Sequence, residues 1–306
     1  MAMTEFYLDS HGKGKLHCCK WTPTQTPKAV VQIVHGIAEY AGRYDAFARF
    51  LNAKGIAVVA EDHMGHGKSV GSDLPLGYFY GGWLAAVADS YSLMKKTMAE
   101  YPGIPYILFG HSMGSFLSRT LLYTYPESGI RGVILCGTGW QSRLVLGAGL
   151  GVCRLFCKAG EESKPSPKLE KLMFGAYNKG ISPVRTNYDW LNRDEEAVQA
   201  YLADPLCGFA PSAGLARDML TGISMNQNHE NLSKMKKALP VLFIAGDADP
   251  VGSWGTGVRR TANAFCAAGM QDVRIRLYPG GRHEILNEIN KTEVYQDILT
   301  WILEKV

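Results

Sequence analysis

The pentapeptide Gly110-His111-Ser112-Met113-Gly114 constrains this chain more than any other stretch, because of what stands on either side of it. The β-rich apolar run Tyr106-Ile107-Leu108-Phe109 precedes it, and a helical apolar pattern, Phe116-Leu117 to Leu121-Leu122, follows. A G-x-S-x-G between a strand and a helix reads as a nucleophile elbow. The turn is too tight for side chains at its flanks, so glycine sits two residues either side of the serine. Ser112 is expected to project its hydroxyl at the N-terminus of a helix, where free N–H groups favour a developing oxyanion.

A serine hydroxyl is a weak nucleophile at neutral pH and needs a base, which in turn needs an orienting acid. With this elbow the chain order is Ser, then Asp or Glu, then His. Of eight histidines only His229 and His283 follow Ser112. His229 lies in the polar stretch Asn226 to Asn231, whereas His283 lies in a Gly-rich turn after the strand expected from Val273 to Leu277. His283 is therefore the expected base. The acid should end the preceding strand, Val241 to Ala245, which is followed by Gly246-Asp247-Ala248-Asp249-Pro250. Asp247 reads equally as a residue capping the turn. Asp249 precedes a proline, which biases it toward an extended conformation that projects its side chain. The residues favour Asp249 without excluding Asp247. Glu284 and Glu288 fall beside or after the base.

Strands and helices alternate on both sides of the elbow. An opening hairpin (Phe6 to Leu8, Leu16 to Cys19) leads to strand Val30 to Val34, helix Arg43 to Asn52, strand Ala57 to Ala60 and helix Trp83 to Glu100. Strand Gly132 to Cys136 closes this half. After Leu239 the rhythm resumes with helix Gly257 to Ala268 and a final helix, Lys291 to Glu304. Such alternation specifies an α/β fold with a mostly parallel central sheet and helices on both faces. Between residues 140 and 238 the rhythm breaks into helical stretches punctuated by Pro and Gly, so the expected organisation is a core of residues 1–139 and 239–306 carrying an inserted helical cap. Residues 143–185 of that cap hold eight Lys/Arg against three Glu, and residues 186–225 hold two Arg against six acids. A solvated surface with mutual compensation accounts for this; a basic rim for an anionic head group is the sharper reading. The run from Leu144 to Cys153 is too short to span a bilayer. Its Gly147-x-Gly149-x-Gly151 spacing lacks the strand-turn-helix setting of a nucleotide site.

His35-Gly36 follows strand Val30 to Val34, which makes the backbone N–H of Ile37 one expected oxyanion donor and that of Met113 the other. His35, Asp62, His63 and His66 precede the serine and read as hydrogen-bonded loop architecture, and His111 is expected to turn away from the Ser112 hydroxyl. No His/Cys/Asp cluster has metal-ligand spacing, so neither a metal nor a cofactor is expected. The formal net charge of +4 over 306 residues, without a dense Lys/Arg stripe, argues against nucleic acid as a partner. Seven cysteines lack a disulfide-framework spacing and Met1 to Phe6 is no signal peptide, which together point to a reducing, cytoplasmic setting.

Four motifs carry a family resemblance: His35-Gly36-Ile37-Ala38-Glu39-Tyr40 with Arg43-Tyr44, Asp62-His63-Met64-Gly65-His66-Gly67-Lys68-Ser69, the Ser112 elbow, and Gly246-Asp247-Ala248-Asp249. With them the chain resembles the monoacylglycerol lipase and lysophospholipase branch of the α/β-hydrolases, often grouped with serine aminopeptidases. The stretch from Tyr177 through Asp189-Trp190 to Asp204-Pro205 looks like bacterial members of the group. The resemblance implies an ester hydrolase with an acyl-enzyme at Ser112, Asp249 as the acid, a single-chain lipid ester as substrate, and a cap that touches membrane surfaces transiently. Two positions depart from the pattern: Tyr40 stands where His is common, and Ser115 where a second Gly is common. Two other readings remain, an aminopeptidase using Glu195-Glu196 to hold a substrate ammonium, and a non-catalytic binding protein on a hydrolase fold.

Overall fold

The computed structural model describes residues 2–71 and 73–306. A hairpin opens the chain: β1 (Ala2–Asp9) pairs antiparallel with β2 (Lys15–Thr22), setting Glu5 opposite Cys19 and Tyr7 opposite His17. The ladder is longer than the apolar residues alone predict, because β2 offers backbone partners to the polar stretch Met3-Thr4-Glu5 as well. Five apolar runs follow as strands buried on both faces: β3 (Ala29–Val34), β4 (Ile56–Glu61), β5 (Tyr106–His111), β6 (Gly132–Cys136) and β7 (Val241–Gly246). Near-continuous apolar sequence is what a parallel strand covered on both sides requires. The last strand, β8 (Val273–Tyr278), alternates half-buried Val273, Ile275 and Leu277 with exposed Arg274 and Arg276, the pattern of a sheet edge protected by charge.

The eight strands lie in the order β1-β2-β4-β3-β5-β6-β7-β8. β2 runs antiparallel to both neighbours, and every pairing from β4 to β8 is parallel. Helix α1 (Asp45–Asn52) covers one face, and α2 (Gly82–Glu100) with α3 (Met113–Thr124) covers the other. The helix expected from Arg43 instead begins with a 3₁₀ turn over Ala41–Tyr44. The carboxylate of Asp62 accepts the Ala41 N–H at 2.8 Å and fixes that tighter entry.

Between β6 and β7 the described residues form only helices and connecting turns: α4 (Arg143–Phe156), α5 (Pro167–Phe174), α6 (Glu195–Ala203), α7 (Ala213–Met225) and α8 (His229–Ser233). Ser142, Ser166, Asp194, Ser212 and Asn228 accept hydrogen bonds from first-turn amides, so each of these helices starts at a side-chain cap. Helices α9 (Thr256–Ala267) and α10 (Lys291–Lys305) complete the two outer layers. One core layer packs Val30, Leu108 and Phe243 against α2, α3 and α9; the other packs Val31, Phe109 and Ile244 against α1 and α10. No helix among the described residues is long and apolar enough to cross a membrane.

Candidate active site

All the expected site residues lie after the carboxyl ends of parallel strands: Ile37 after β3, Ser112 and Met113 after β5, Asp249 after β7 and His283 after β8. Loops at this edge of an open parallel sheet are where ligands bind, because the chain changes direction there without blocking the sheet. Ser112 takes φ 51° and ψ −121°, a conformation rare for a residue with a side chain. Its neighbours permit it. A Cβ at Gly114 would collide with the carbonyl oxygen of Val34, and one at Gly110 with Ser118 Oγ. Helix and sheet approach too closely for anything but glycine. Met113 opens α3, so its N–H lies ahead of the first helical carbonyl and is free to point at a ligand.

Nδ1 of His283 lies 2.9 Å from Oδ2 of Asp249. Donation from Nδ1 leaves Nε2 as the basic atom. The other carboxylate oxygen of Asp249 accepts the Val251 N–H at 2.9 Å, and the side chain is wholly buried. Burial works against a charge on His283, yet the Asp249 carboxylate and its hydrogen bond, with Glu284 and Glu39 behind them, hold its pKa above the ordinary value. Asp247 instead accepts the Gly280 N–H at 2.7 Å and closes the turn between the two loops. His229 begins α8, in another part of the chain from this group.

Ser112 and His283 line one cleft together with Gly36, Ile37, Glu39, His111 and Trp190. Ser112 Oγ makes no hydrogen bond among the described residues. His111, expected to turn away from the Ser112 hydroxyl, borders this cleft, with its ring centroid 4.8 Å from that of His283. Burial, together with the nearby His283, pushes the pKa of His111 down to about 3, so it stays neutral.

The loop carrying Ile37 is built by contacts that local sequence does not announce. Glu39 Oε1 accepts the Gly36 N–H at 2.6 Å and the Tyr44 hydroxyl at 3.0 Å. Arg43 donates to Glu39 and forks onto both oxygens of Glu284, at 2.6 and 2.8 Å. One guanidinium thus ties the Ile37 loop to the residue after His283. Burial opposes the charge on Glu284, but its bidentate share of Arg43 holds it down to about 2; Glu39, with the weaker share, is pushed up by burial. Ala38 sits at φ 55°, and its carbonyl accepts both the Tyr201 hydroxyl and the Gly208 N–H at 3.0 Å.

His35 braces its loop as expected: Nδ1 donates to the Gly36 carbonyl and Nε2 accepts the His63 N–H. His63 and His66 lie buried around it with pKa values well below and down to about 4 respectively, first because of burial, and so remain neutral packing groups. Of the two departures from the family pattern, Tyr40 donates its hydroxyl to Asp204 at 2.8 Å, while Ser115 Oγ bonds back to the Ser112 carbonyl at 2.6 Å.

Helical residues between β6 and β7 form the roof. Backbone carbonyls of Trp190 and Leu191 accept the N–H groups of His283 and Glu284, and Arg282 donates to the carbonyls of Asp189 and Asn192. The Trp190 ring lies 5.1 Å from that of His283. Phe174 borders this cleft and also an apolar groove of about 440 Å³ lined by Val145, Leu169, Leu172, Met219 and Leu220. Glu195, by contrast, is exposed and paired with Arg185 on the surface. Among the residues of the cleft, Tyr201 carries no signal in the sequence, since only tertiary packing brings it to the sheet edge; Trp190 stood inside the stretch resembling bacterial members and Glu284 beside His283, without a role for either. Glu39 and Arg43 were visible inside a motif, but not their partnership with Glu284.

A mostly parallel eight-stranded sheet, helices on both faces and a strained serine elbow at its carboxyl edge define an α/β-hydrolase. Residues 25–290 match the family model of serine aminopeptidase, S33, and the chain belongs to that family. It is 33% identical to the monoacylglycerol lipase of Mycolicibacterium smegmatis, over 92% of this chain and 91% of that protein. It is 28% identical to human monoglyceride lipase, covering 95% and 87%. A thermostable carboxyl esterase from Bacillus coagulans superposes over 100% of this chain and 99% of its own with a TM-score of 0.92 at 30% identity. Within this company the chain is a carboxylic-ester hydrolase.

Proposed function

We propose that this enzyme hydrolyses single-chain lipid esters, monoacylglycerols or lysophospholipids, through an acyl-enzyme on Ser112. The observation that carries the reading is the 2.9 Å pairing of His283 with Asp249 in a cleft that also holds Ser112. His283 Nε2 takes the Ser112 proton as Oγ attacks the ester carbonyl, and Asp249 holds the imidazole in that tautomer and balances the imidazolium. The Ile37 and Met113 amides stabilise the tetrahedral oxyanion. His283 then protonates the departing alcohol, and water repeats the cycle to release the fatty acid. In this reading residues 140–238 act as a cap, the apolar groove beyond Phe174 takes the acyl chain, and exposed residues of α4 touch the lipid surface that supplies substrate. The surface pairing of Glu195 with Arg185 leaves an amino-terminal peptide substrate without its expected acidic anchor.

A fluorophosphonate probe should label wild-type protein at Ser112 and leave Ser112→Ala unlabelled. A panel of esters varying chain length and alcohol should rank monoacylglycerols or lysophospholipids above diacylglycerols and aminoacyl-naphthylamides. Folded protein that resists the probe, or that prefers the amide, overturns the proposal.

A further inference from the structure

The register of the opening hairpin gathers a second set of reactive side chains on the sheet edge remote in sequence from the elbow. His17 and Cys19 are two apart on β2 and so share one face of the strand, and Glu5 of β1 stands directly opposite Cys19. One donor atom from each of Glu5, His17 and Cys19 lies within 4.8 Å of the other two. His17 and Cys19 are almost fully buried, 3% and 2% exposed, while Glu5 opens to solvent. The sequence shows no ligand spacing here, because the third donor comes from across the ladder.

The state of the His17 ring points to what the cluster holds. Nδ1 lies 2.8 Å from Oδ2 of the wholly buried Asp62, a hydrogen bond that fixes the tautomer with the proton on Nδ1. Nε2 is then a lone pair, and it is a buried atom without a hydrogen-bond partner. It lies 3.3 Å from Glu5 Oε1, and a cation seated between the two takes a lone pair from each. A metal-ligating imidazole whose other nitrogen donates to a carboxylate is the usual outer-shell arrangement of a protein metal site.

We propose that Glu5, His17 and Cys19 form a zinc site that staples the β1–β2 hairpin, with Asp62 orienting the imidazole. Thiolate, imidazole and carboxylate together suit Zn²⁺, which accepts three protein ligands and a water in a tetrahedron. Bonds of about 2.0–2.3 Å place donor atoms roughly 3.3–3.8 Å apart, so the set must draw in from its present limit of 4.8 Å when the cation enters. Binding transfers the Cys19 thiol proton to solvent, leaving the thiolate on the metal. The buried thiol is otherwise neutral, since burial and then Asp62 and Glu5 push its pKa up to about 12. Lys68 holds Glu5 at 2.6 Å without metal, and its half-exposed ammonium swings into solvent when the cation enters.

Protein stripped with a chelator and titrated with Co²⁺ reads the site directly. The expected result is one equivalent bound with a thiolate-to-cobalt charge-transfer band. Cys18→Ser, on the opposite face of β2, should retain the band. Cys19→Ser should lose it, and His17→Gln should bind at least tenfold more weakly. Lys68→Met changes only an exposed side chain and should bind Zn²⁺ more tightly than wild type while raising the thermal midpoint further at the same zinc concentration. Absence of a stoichiometric site in both wild type and Lys68→Met, or a band that survives Cys19→Ser, overturns the proposal and leaves Glu5, His17 and Cys19 as neighbours on the hairpin alone. None of these readouts depends on ester hydrolysis.

Discussion

Ser112 and Ala38 are non-glycine residues at positive φ, and both border the cleft that holds His283. Such conformations persist only where surrounding contacts over-determine them. For Ser112 those contacts are the two glycines and α3; for Ala38 they are Tyr201 and Gly208. Removing the Tyr201 hydroxyl in Tyr201→Phe deletes one hydrogen bond of about 1 kcal/mol, so kcat should fall about fivefold with KM nearly unchanged. A loss confined to KM would show that Tyr201 binds substrate instead. Asp249→Asn should cost about ten-thousandfold in kcat while His283 stays in place. In the proposed mechanism His283 must be neutral to act as base, and Asp249 holds its pKa above that of a free imidazole, about 6.5. The kcat/KM profile should therefore rise with pH through a midpoint above 6.5, and the residual activity of Asp249→Asn should rise through a lower one. Equal midpoints would contradict the assigned role. The elbow was legible in the sequence because a strand end and a glycine-flanked turn are local features, whereas the residues alone left Asp247 open beside Asp249 and only the family resemblance chose Asp249. The place of Tyr201 beside Ala38 was not legible, since it depends on packing between segments far apart in the chain.

At the scale of elements, the loops after β3 and β8 are fastened by one buried guanidinium. Arg43 serves two carboxylates, Glu39 and Glu284, that would otherwise face each other across the cleft floor. Arg43→Met should destabilise the fold by about 3–5 kcal/mol in denaturant titrations, because it leaves buried carboxylates without a partner. The pH dependence has a definite sign. Glu284, held down to about 2 in the folded protein, contributes stability that is present above the unfolded carboxylate value of about 4.3 and is lost as pH falls toward 2. Arg43→Met should remove that acid-side loss, and retention of the wild-type slope would show that other carboxylates cause it. The strands themselves were readable as runs of Val, Ile, Leu and Phe, whereas the side-chain caps that start α4 to α8 emerged only in the structure. Helix ends shifted where a long-range group intervened, as Asp62 does at Ala41.

Over the whole molecule, the helical segment between β6 and β7 divides its apolar residues between two duties. In α4, Leu146 and Cys153 are buried, while Leu144 and Leu155 are 86% and 69% exposed. If that face meets lipid, the double variant Leu144→Ser with Leu155→Ser should bind phospholipid vesicles severalfold more weakly and hydrolyse a short soluble ester at the wild-type rate. Unchanged vesicle sedimentation would remove α4 from that role.

The sequence by itself determined the alternation of strands and helices, the elbow and the order of the reactive groups, because each rests on residues within a few positions of one another. Only the tertiary structure decided the roof over His283, the sharing of Arg43 and the cross-strand meeting of Glu5 with His17 and Cys19. Those depend on which distant side chains lose water together when the sheet closes, and that is settled by register and packing rather than by spacing along the chain.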